Sequence, residues 1–187
     1  MVVAPVTLKL TYEDFLGFPE DGKRHELLDG DHFVTPAPNL RHQRLVVRLT
    51  RVLESFIDRH GLGWLYTSPV DIVLSDFDVV EPDLVFLSRQ RGHLRADTHL
   101  AGAPDLVIEI LSDSTRKRDE ITKRHLYERH GVAEYWIVDP VLETVKVYQR
   151  EGERFAAAEL YERAEGGQLD TALLPGFELA LDELFGE

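Results

Sequence analysis

The chain has 187 residues, 43% of them hydrophobic and 29% charged, which is typical of one globular domain with a sizeable core. It has no cysteine, which excludes disulfides, thiolate metal sites and a cysteine nucleophile. The formal net charge of -13 argues against a nucleic-acid ligand unless basic residues cluster on one face. No apolar run reaches the roughly 20 residues of a membrane span, and residues 1–6 lack the features of a signal peptide, so we expect a cytoplasmic protein without membrane contact.

The first sixty residues predict two helices and a hairpin. A capping-box pattern at Thr11 and Asp14 predicts a short helix. The Asp-Gly dipeptide at 29–30, between two short apolar runs, predicts a β-hairpin. Apolar residues recur at helical spacing over residues 40–60, and Gly61 follows, so we expect a long helix there.

From Trp64 onwards the apolar pattern changes to period two, which predicts strands. We expect strands at residues 64–67, 70–74, 79–87, 105–111, 134–139, 144–148 and 154–160. A polar helix is expected over residues 118–130, ended by Gly131, and a short helix over 182–185. This order of elements predicts a single α/β domain in which helices flank a mixed sheet.

Two of the predicted strands carry an acid where burial is costly: Asp83 in the first and Glu109 in the second. A buried carboxylate must be paired, hydrogen-bonded or bound to a metal. Neighbouring strands lie about 4.8 Å apart, so both acids could hold one Mg²⁺, which prefers a few carboxylates and leaves its other positions to water and substrate. The alternative interpretation is two solvated acids near strand ends.

Two further residues are candidates for the same site. Lys123, on the predicted polar helix, could orient an attacking water or stabilise a phosphate, although most helical lysines are simply exposed. Glu26 could add a carboxylate, or could be an edge-strand residue beside a turn. Tyr127 lies one turn beyond Lys123, where we expect it to pack rather than to hydrogen-bond.

Several segments together resemble the Uma-two family of restriction-type endonucleases, within the PD-(D/E)XK nuclease superfamily. They are RHELLDG at 24–30, HQ at 42–43, EPDLV at 81–85, DLVIEILS at 105–112, KRHLY at 123–127 and GVAEYWIVD at 131–139. The resemblance spans roughly residues 10–180. It implies one restriction-endonuclease-like domain over residues 1–187 and Mg²⁺-dependent cleavage of DNA, with Mn²⁺ as a possible substitute.

The resemblance also implies roles for individual residues. Asp83 and Glu109 match the two acids of the superfamily signature and, with the backbone carbonyl of Ile110, would ligate the metal. Glu26 matches the acid that the early segment contributes.

The signature lysine is displaced in this chain. It is expected two residues after Glu109, but Leu111 stands there. The family places this role on the following helix, where Lys123 is the matching residue and Lys117 is an alternative. His42 and Gln43 also match family positions, with no chemistry assigned to them.

These observations predict a Mg²⁺-dependent DNA endonuclease. We expect a homodimer, because cutting both strands of a duplex is easiest with two related sites. The alternative is a catalytically inactive nuclease-like module that binds nucleic acid or a protein partner, which the net charge and Leu111 favour. A metal-dependent hydrolase of small phosphoesters is a third interpretation.

Overall fold

The computed structural model describes residues 8–186, so the expectation about residues 1–6 lies outside the described residues. The helices are α1 (Tyr12–Phe15), α2 (Leu40–His60), α3 (Arg124–His130) and α4 (Leu181–Phe185). The strands are β1 (Arg24–Leu28), β2 (Asp31–Thr35), β3 (Gly63–Thr67), β4 (Asp71–Ser75), β5 (Asp78–Val80), β6 (Leu84–Ser88), β7 (His99–Leu100), β8 (Leu106–Ile110), β9 (Glu134–Asp139), β10 (Thr144–Glu151), β11 (Arg154–Phe155), β12 (Glu159–Glu162), β13 (Gln168–Asp170) and β14 (Glu178–Ala180). Short 3₁₀ helices cover Arg89–Leu94 and Arg163–Glu165, and a π-helical segment covers Arg118–Lys123.

The strands form a large central sheet and a smaller second sheet. The central sheet has the order β11-β10-β9-β8-β6-β3, and β12 also pairs with β10. Within it β8 and β9 are parallel, whereas the other pairs are antiparallel. The second sheet has the order β2-β1-β5-β4-β7, and β13 pairs separately with β14. The predicted mixed sheet in an α/β domain is therefore confirmed.

Helix α2 covers one face of the central sheet. Asn39 caps its first turn by accepting a hydrogen bond from the His42 amide, and Gly61 ends it at a φ of 61°. Its buried stripe, Leu45, Leu49, Leu53 and Ile57, packs against central-strand residues such as Phe86 and Trp136. The predicted bounds of this helix are confirmed because the caps and the apolar stripe specify the same segment.

Helix α3 and the smaller sheet cover the other face. Leu126 and Tyr127 from α3 join Val107 and Tyr135 from the central sheet in one buried cluster, together with Leu28, Ile72, Val80 and Leu100 of the second sheet. The hairpin between β1 and β2 turns at Asp29, with φ 52°, and Gly30, with φ 76°, as the Asp-Gly dipeptide predicts.

Two of the predicted strands are wrong in extent. The run 79–87 is divided into β5 of the second sheet and β6 of the central sheet, so Asp83 lies in the connection just before β6. Pro82 sits at this break, where its missing N–H prevents a continuous ladder. The run 154–160 is likewise divided into β11 and β12 at three alanines, which have low strand propensity.

Strands β13 and β14 were not predicted, because strands of three residues carry too little periodicity to detect. Among residues 8–186 no helix combines the length and the hydrophobicity needed to cross a membrane.

Candidate active site

Asp83 is brought to Glu109 by the pairing of β6 with β8. Leu84 pairs with Ile108 in this antiparallel register, so the next pair outwards is Asp83 with Glu109. Both carboxylates are almost fully buried, at 3% and 2% exposure. Solvated acids, the alternative interpretation of these two residues, are therefore not what the structure shows.

The Asp83 carboxylate is held by three donors. Its Oδ1 accepts hydrogen bonds from the guanidinium of Arg24 at 2.7 Å and from Nε2 of His42 at 3.1 Å. Its Oδ2 accepts one from the Ile110 amide at 2.8 Å. Burial opposes ionisation, but the bonds and charges of His42 and Arg24 outweigh it and lower the pKa of Asp83. Asp83 is therefore a carboxylate at neutral pH.

The Glu109 carboxylate meets the side chains of the following helix. Its Oε1 accepts hydrogen bonds from the Lys123 ammonium at 2.7 Å and from the Tyr127 hydroxyl at 2.9 Å. Burial raises the pKa of Glu109 to about 8; Lys123 opposes this rise, whereas Asp119 and Asp83 add to it. Tyr127 thus both packs and hydrogen-bonds, so the expectation that it only packs is wrong.

Glu26 completes the group from the second sheet. Its Oε1 lies 2.6 Å from Nζ of Lys123 and accepts a hydrogen bond from the Glu81 amide at 3.0 Å. Its Oε2 is buried without a hydrogen-bond partner, and the nearest cation is Arg118, 3.6 Å away. Lys123 therefore joins an acid of the smaller sheet to an acid of the central sheet.

The helix that presents Lys123 begins as a π-helix. Residues Arg118–Lys123 are π-helical, and the chain then continues as α3. Wide turns of this kind are frequent at functional sites. Asp119, one turn before Lys123, lies 3.9 Å from Nζ and is buried as well. Glu109, Glu26 and Asp119 raise the pKa of Lys123 against the effect of its burial, which lowers it, so the ammonium keeps its charge.

The structure distinguishes the two candidate lysines. Lys123 is 2% exposed and contacts Glu26 and Glu109, whereas Lys117 is exposed. Leu111, at the position where the signature lysine is expected, is packed in the apolar cluster with Leu126 and Tyr127. The ammonium therefore reaches the acids from the helix instead of from the strand.

Sequence reasoning assigned no role to four contributors to this site. Arg24 and His42 hold Asp83, while Asp119 and Arg118 lie beside Lys123 and Glu26. The four-residue spacing of Asp119 and Lys123 was visible as a helical pair. The pairing of Arg24 with Asp83 spans 59 positions, and no local pattern announces it. Gln43, the residue after His42 in α2, lines a cavity beside Asp83.

The oxygen atoms at this site fit Mg²⁺ better than they fit a metal ion that side chains enclose completely. Within residues 8–186 no group of three or more His, Asp or Glu side chains is arranged to hold a metal ion. Mg²⁺ is usually bound by only one or two carboxylates, however, and Asp83 and Glu109 supply two. The Ile110 amide points to Asp83, and the carbonyl of a strand residue projects to the same side as its amide. The pKa of Glu109 is raised chiefly by burial, a perturbation that is frequent at functional sites.

The fold and this group of charged residues define a class of protein: a nuclease-like α/β domain with two acids on neighbouring strands and a lysine beside them. The family model of Uma2, described as "Putative restriction endonuclease", matches residues 12–182. The chain belongs to this family.

One solved structure has the same fold. The structure described as "a putative nuclease belonging to DUF820 from Anabaena variabilis" matches with a TM-score of 0.80 and 21% identity, over 94% of this chain and 97% of that chain. The type IIG restriction endonuclease BpuSI matches with a TM-score of 0.37 and 16% identity, over 63% of this chain and 13% of its own. A TM-score this low does not establish a shared fold. The comparison with curated proteins gave no match.

Proposed function

We propose that the protein is a Mg²⁺-dependent DNA endonuclease that hydrolyses phosphodiester bonds. The observation that supports the proposal most is the position of the Lys123 ammonium, which lies within 2.7 Å of both Glu26 and Glu109. Asp83 is next to Glu109 in the register of β6 with β8. Membership of a family described as restriction endonucleases supports the reaction and the DNA substrate.

Asp83, Glu109 and the carbonyl of Ile110 would hold Mg²⁺. When bound, Mg²⁺ neutralises phosphate charge and lowers the pKa of a coordinated water. Both contacts on Glu109 fall on Oε1, so Oε2 lies outside them. The hydrogen bond from the Ile110 amide fixes the orientation of the Asp83 carboxylate.

Lys123 acts as a fixed positive charge. Because its acidic neighbours raise its pKa, it stays protonated and cannot take a proton from water at neutral pH. It can donate hydrogen bonds to an attacking water and stabilise the charge that develops on the phosphate. Glu26 and Tyr127 hold this arrangement, since one binds the ammonium and the other binds Glu109.

Arg24 connects the acids to the substrate side of the site. Its guanidinium binds Asp83, and its side chain lines the cavity that opens beside that acid. A guanidinium in this position can bind a phosphate oxygen through two parallel hydrogen bonds. Arg24 therefore supplies local positive charge on a chain whose net charge is -13.

The test is plasmid cleavage in Mg²⁺ and in Mn²⁺, comparing the wild-type protein with Asp83→Ala, Glu109→Ala and Lys123→Ala. We expect each substitution to reduce the rate by at least about 100-fold, as losses of groups that stabilise a transition state do. Lys146→Ala is the matched control, since Lys146 pairs with Glu120 on the surface and should cut normally. Circular dichroism checks that each variant is folded.

The outcomes separate the candidate functions. Cleavage that persists unchanged in all three variants would remove the assignment of the site. Absence of cleavage by the wild-type protein favours the inactive binding module, and turnover of small phosphodiesters without cleavage of DNA favours a small-substrate hydrolase. Linear rather than nicked plasmid as the first product supports the expected homodimer, because two sites then act together.

A further inference from the structure

A cavity of about 330 Å³ opens directly beside Asp83. It lies between the loop that follows β2, the first turns of α2 and the turn before β4. Arg24, His42 and Asp83 belong both to its wall and to the candidate active site. A group that enters this cavity is therefore adjacent to the acid that would hold the metal.

The remaining wall of the cavity has an apolar part and a polar part. Pro36, Pro38, Val46 and Pro69 form the apolar part, and Thr35, Ser68 and Glu81 form the polar part. The exposed side chain of Gln43 provides both a donor and an acceptor. A base presents the same combination, since its faces are apolar and its edge carries donors and acceptors. Pockets of about 300 Å³ and above are of the size that holds small ligands.

Two basic side chains lie at the mouth of the cavity, each paired with an acid. The Lys23 side chain is 57% exposed and pairs only at the surface with Asp21, and Arg24 lies next to it on Asp83. Such cations attract the phosphates that flank a nucleoside. The apolar part of the wall, the Gln43 amide and the basic side chains at the mouth together fit one nucleotide better than a free anion.

We infer that this cavity receives one unpaired nucleoside of the substrate strand, next to the phosphate that is cleaved. The inference rests on the proposed function and narrows its substrate. A stacked and paired base cannot enter a cavity of this kind, so the nucleotide must leave the duplex first. DNA with an unpaired nucleotide, such as a mismatch, bulge or single strand, is then the preferred substrate over perfect duplex.

The first test measures cleavage of four oligonucleotide substrates: perfect duplex, the same duplex with one mismatch, the single strand, and the single strand with an abasic position. We expect the mismatched duplex and the single strand to be cut on the order of 10- to 100-fold faster than perfect duplex, because they need no base opening. The single strand should be cut more slowly when the abasic position lies next to the cleaved phosphate, because no base is then available to enter the cavity. Equal rates on perfect and mismatched duplex overturn the inference and leave the endonuclease in place.

A filled cavity provides the matched variant. Ala37 lines the cavity and is exposed, so Ala37→Trp should narrow the mouth without disturbing the core. Ala158→Trp is its control, because Ala158 is equally exposed in the connection between β11 and β12. We expect Ala37→Trp to lose the preference for unpaired DNA and Ala158→Trp to keep it. A preference unchanged in Ala37→Trp contradicts the inference.

A binding measurement decides the matter even if no substrate is cut. Mismatched duplexes carrying 2-aminopurine are bound to the wild-type protein in EDTA, with the probe at the mismatch or three nucleotides away. Emission of 2-aminopurine rises when the base leaves the stack, and among residues 8–186 no Phe, Tyr or Trp lines this cavity to quench it. A rise confined to the mismatch supports the nucleoside site, and no rise at either position, with binding confirmed by anisotropy, contradicts it. Failure of cleavage alone overturns only the proposed endonuclease.

Discussion

Two clusters around buried acids within residues 8–186 differ in their electrostatics. We call them the Asp78 cluster (Asp78, Ser75, Asp29, Arg129 and His130) and the Lys123 cluster (Lys123, Glu26, Glu109 and Asp119). In the first, one carboxylate accepts four hydrogen bonds. In the second, three carboxylates share one ammonium, and both Oε2 of Glu26 and Oδ1 of Asp119 are buried without a hydrogen-bond partner.

The pKa values follow this difference. Burial opposes ionisation of Asp78, but bonds from His130, the Asp29 amide and Ser75 outweigh it and lower its pKa. Burial raises the pKa of both Glu109 and Asp119 in the Lys123 cluster. A buried acid with enough donors stabilises a fold, whereas a buried acid whose pKa is raised by burial costs stability, and such acids are frequent at functional sites. Asp83 has enough donors and a lowered pKa as well, so the comparison distinguishes Asp78 from the acids of the Lys123 cluster and not from Asp83.

The largest expected effect on stability is the removal of the shared ammonium. Lys123→Met leaves Glu26 and Glu109 buried without their cation, and we expect the free energy of unfolding to fall by about 3–5 kcal/mol. Urea denaturation measures this loss. Lys146→Met is the control, since its pair with Glu120 is partly exposed and should contribute less than about 1 kcal/mol. Equal losses in the two variants contradict the buried ion pairs described here.

A smaller loss is expected for Asp78→Asn. The amide oxygen of asparagine still accepts, but its NH₂ group replaces a carboxylate oxygen and faces donors, so the free energy of unfolding should fall by about 2 kcal/mol at pH 7. Urea denaturation measures it against Asp76→Asn, a nearby residue in the turn between β4 and β5. DNA cleavage by the folded variant should be unchanged, because the Asp78 cluster lies outside the candidate site.

The wild-type protein and Asp78→Asn should also differ in how their stability depends on pH, and the sign of this difference is known. The pKa of Asp78 is lower in the folded state than its ordinary value of about 4, so its contribution to stability is complete above that pH. As the pH falls below about 4, the unfolded chain binds a proton at Asp78 before the folded protein does, so the contribution decreases and is lost once the pH reaches the lowered pKa of the folded state. The difference in unfolding free energy between wild-type and Asp78→Asn should therefore shrink in acid. A difference that grows as the pH falls contradicts the assignment.

The smallest effect on stability is expected for Glu109→Gln in EDTA. Burial raises the pKa of Glu109 to about 8 and so already disfavours its charged form at pH 7, and glutamine keeps an acceptor for Lys123 and Tyr127. The free energy of unfolding should stay within about 1 kcal/mol of the wild-type value or rise, whereas cleavage should fall by about 10²–10³-fold. A loss as large as that of Asp78→Asn, measured in the same urea titration, would remove the distinction between the two clusters.

Sequence alone predicted the elements whose signals are local. Helix α2 has its caps and its apolar stripe within one segment, and the β1–β2 hairpin has its Asp-Gly turn. The division of 79–87 at Pro82 was missed because each half is apolar, and only tertiary packing assigns the halves to different sheets.

Some residues of the candidate site were likewise predictable from local sequence and others were not. Asp83 and Glu109 follow from two apolar strands that turned out to be neighbours. That Lys123 also binds Glu26 depends on the smaller sheet packing over the helix, as does the pairing of Arg24 with Asp83. Contacts between residues this far apart in sequence leave no local pattern, so their roles remain proposals for experiment.

Binding of Mn²⁺, measured by calorimetry on the wild-type protein, Asp83→Asn and Asp78→Asn, tests the central assignment most directly. Both substituted residues are buried acids, and only one belongs to the candidate site. We expect the wild-type protein and Asp78→Asn to bind Mn²⁺ alike and Asp83→Asn to bind at least about tenfold more weakly. Binding to Asp83→Asn that matches the wild-type protein, or no binding to any of the three, would contradict a metal site at Asp83.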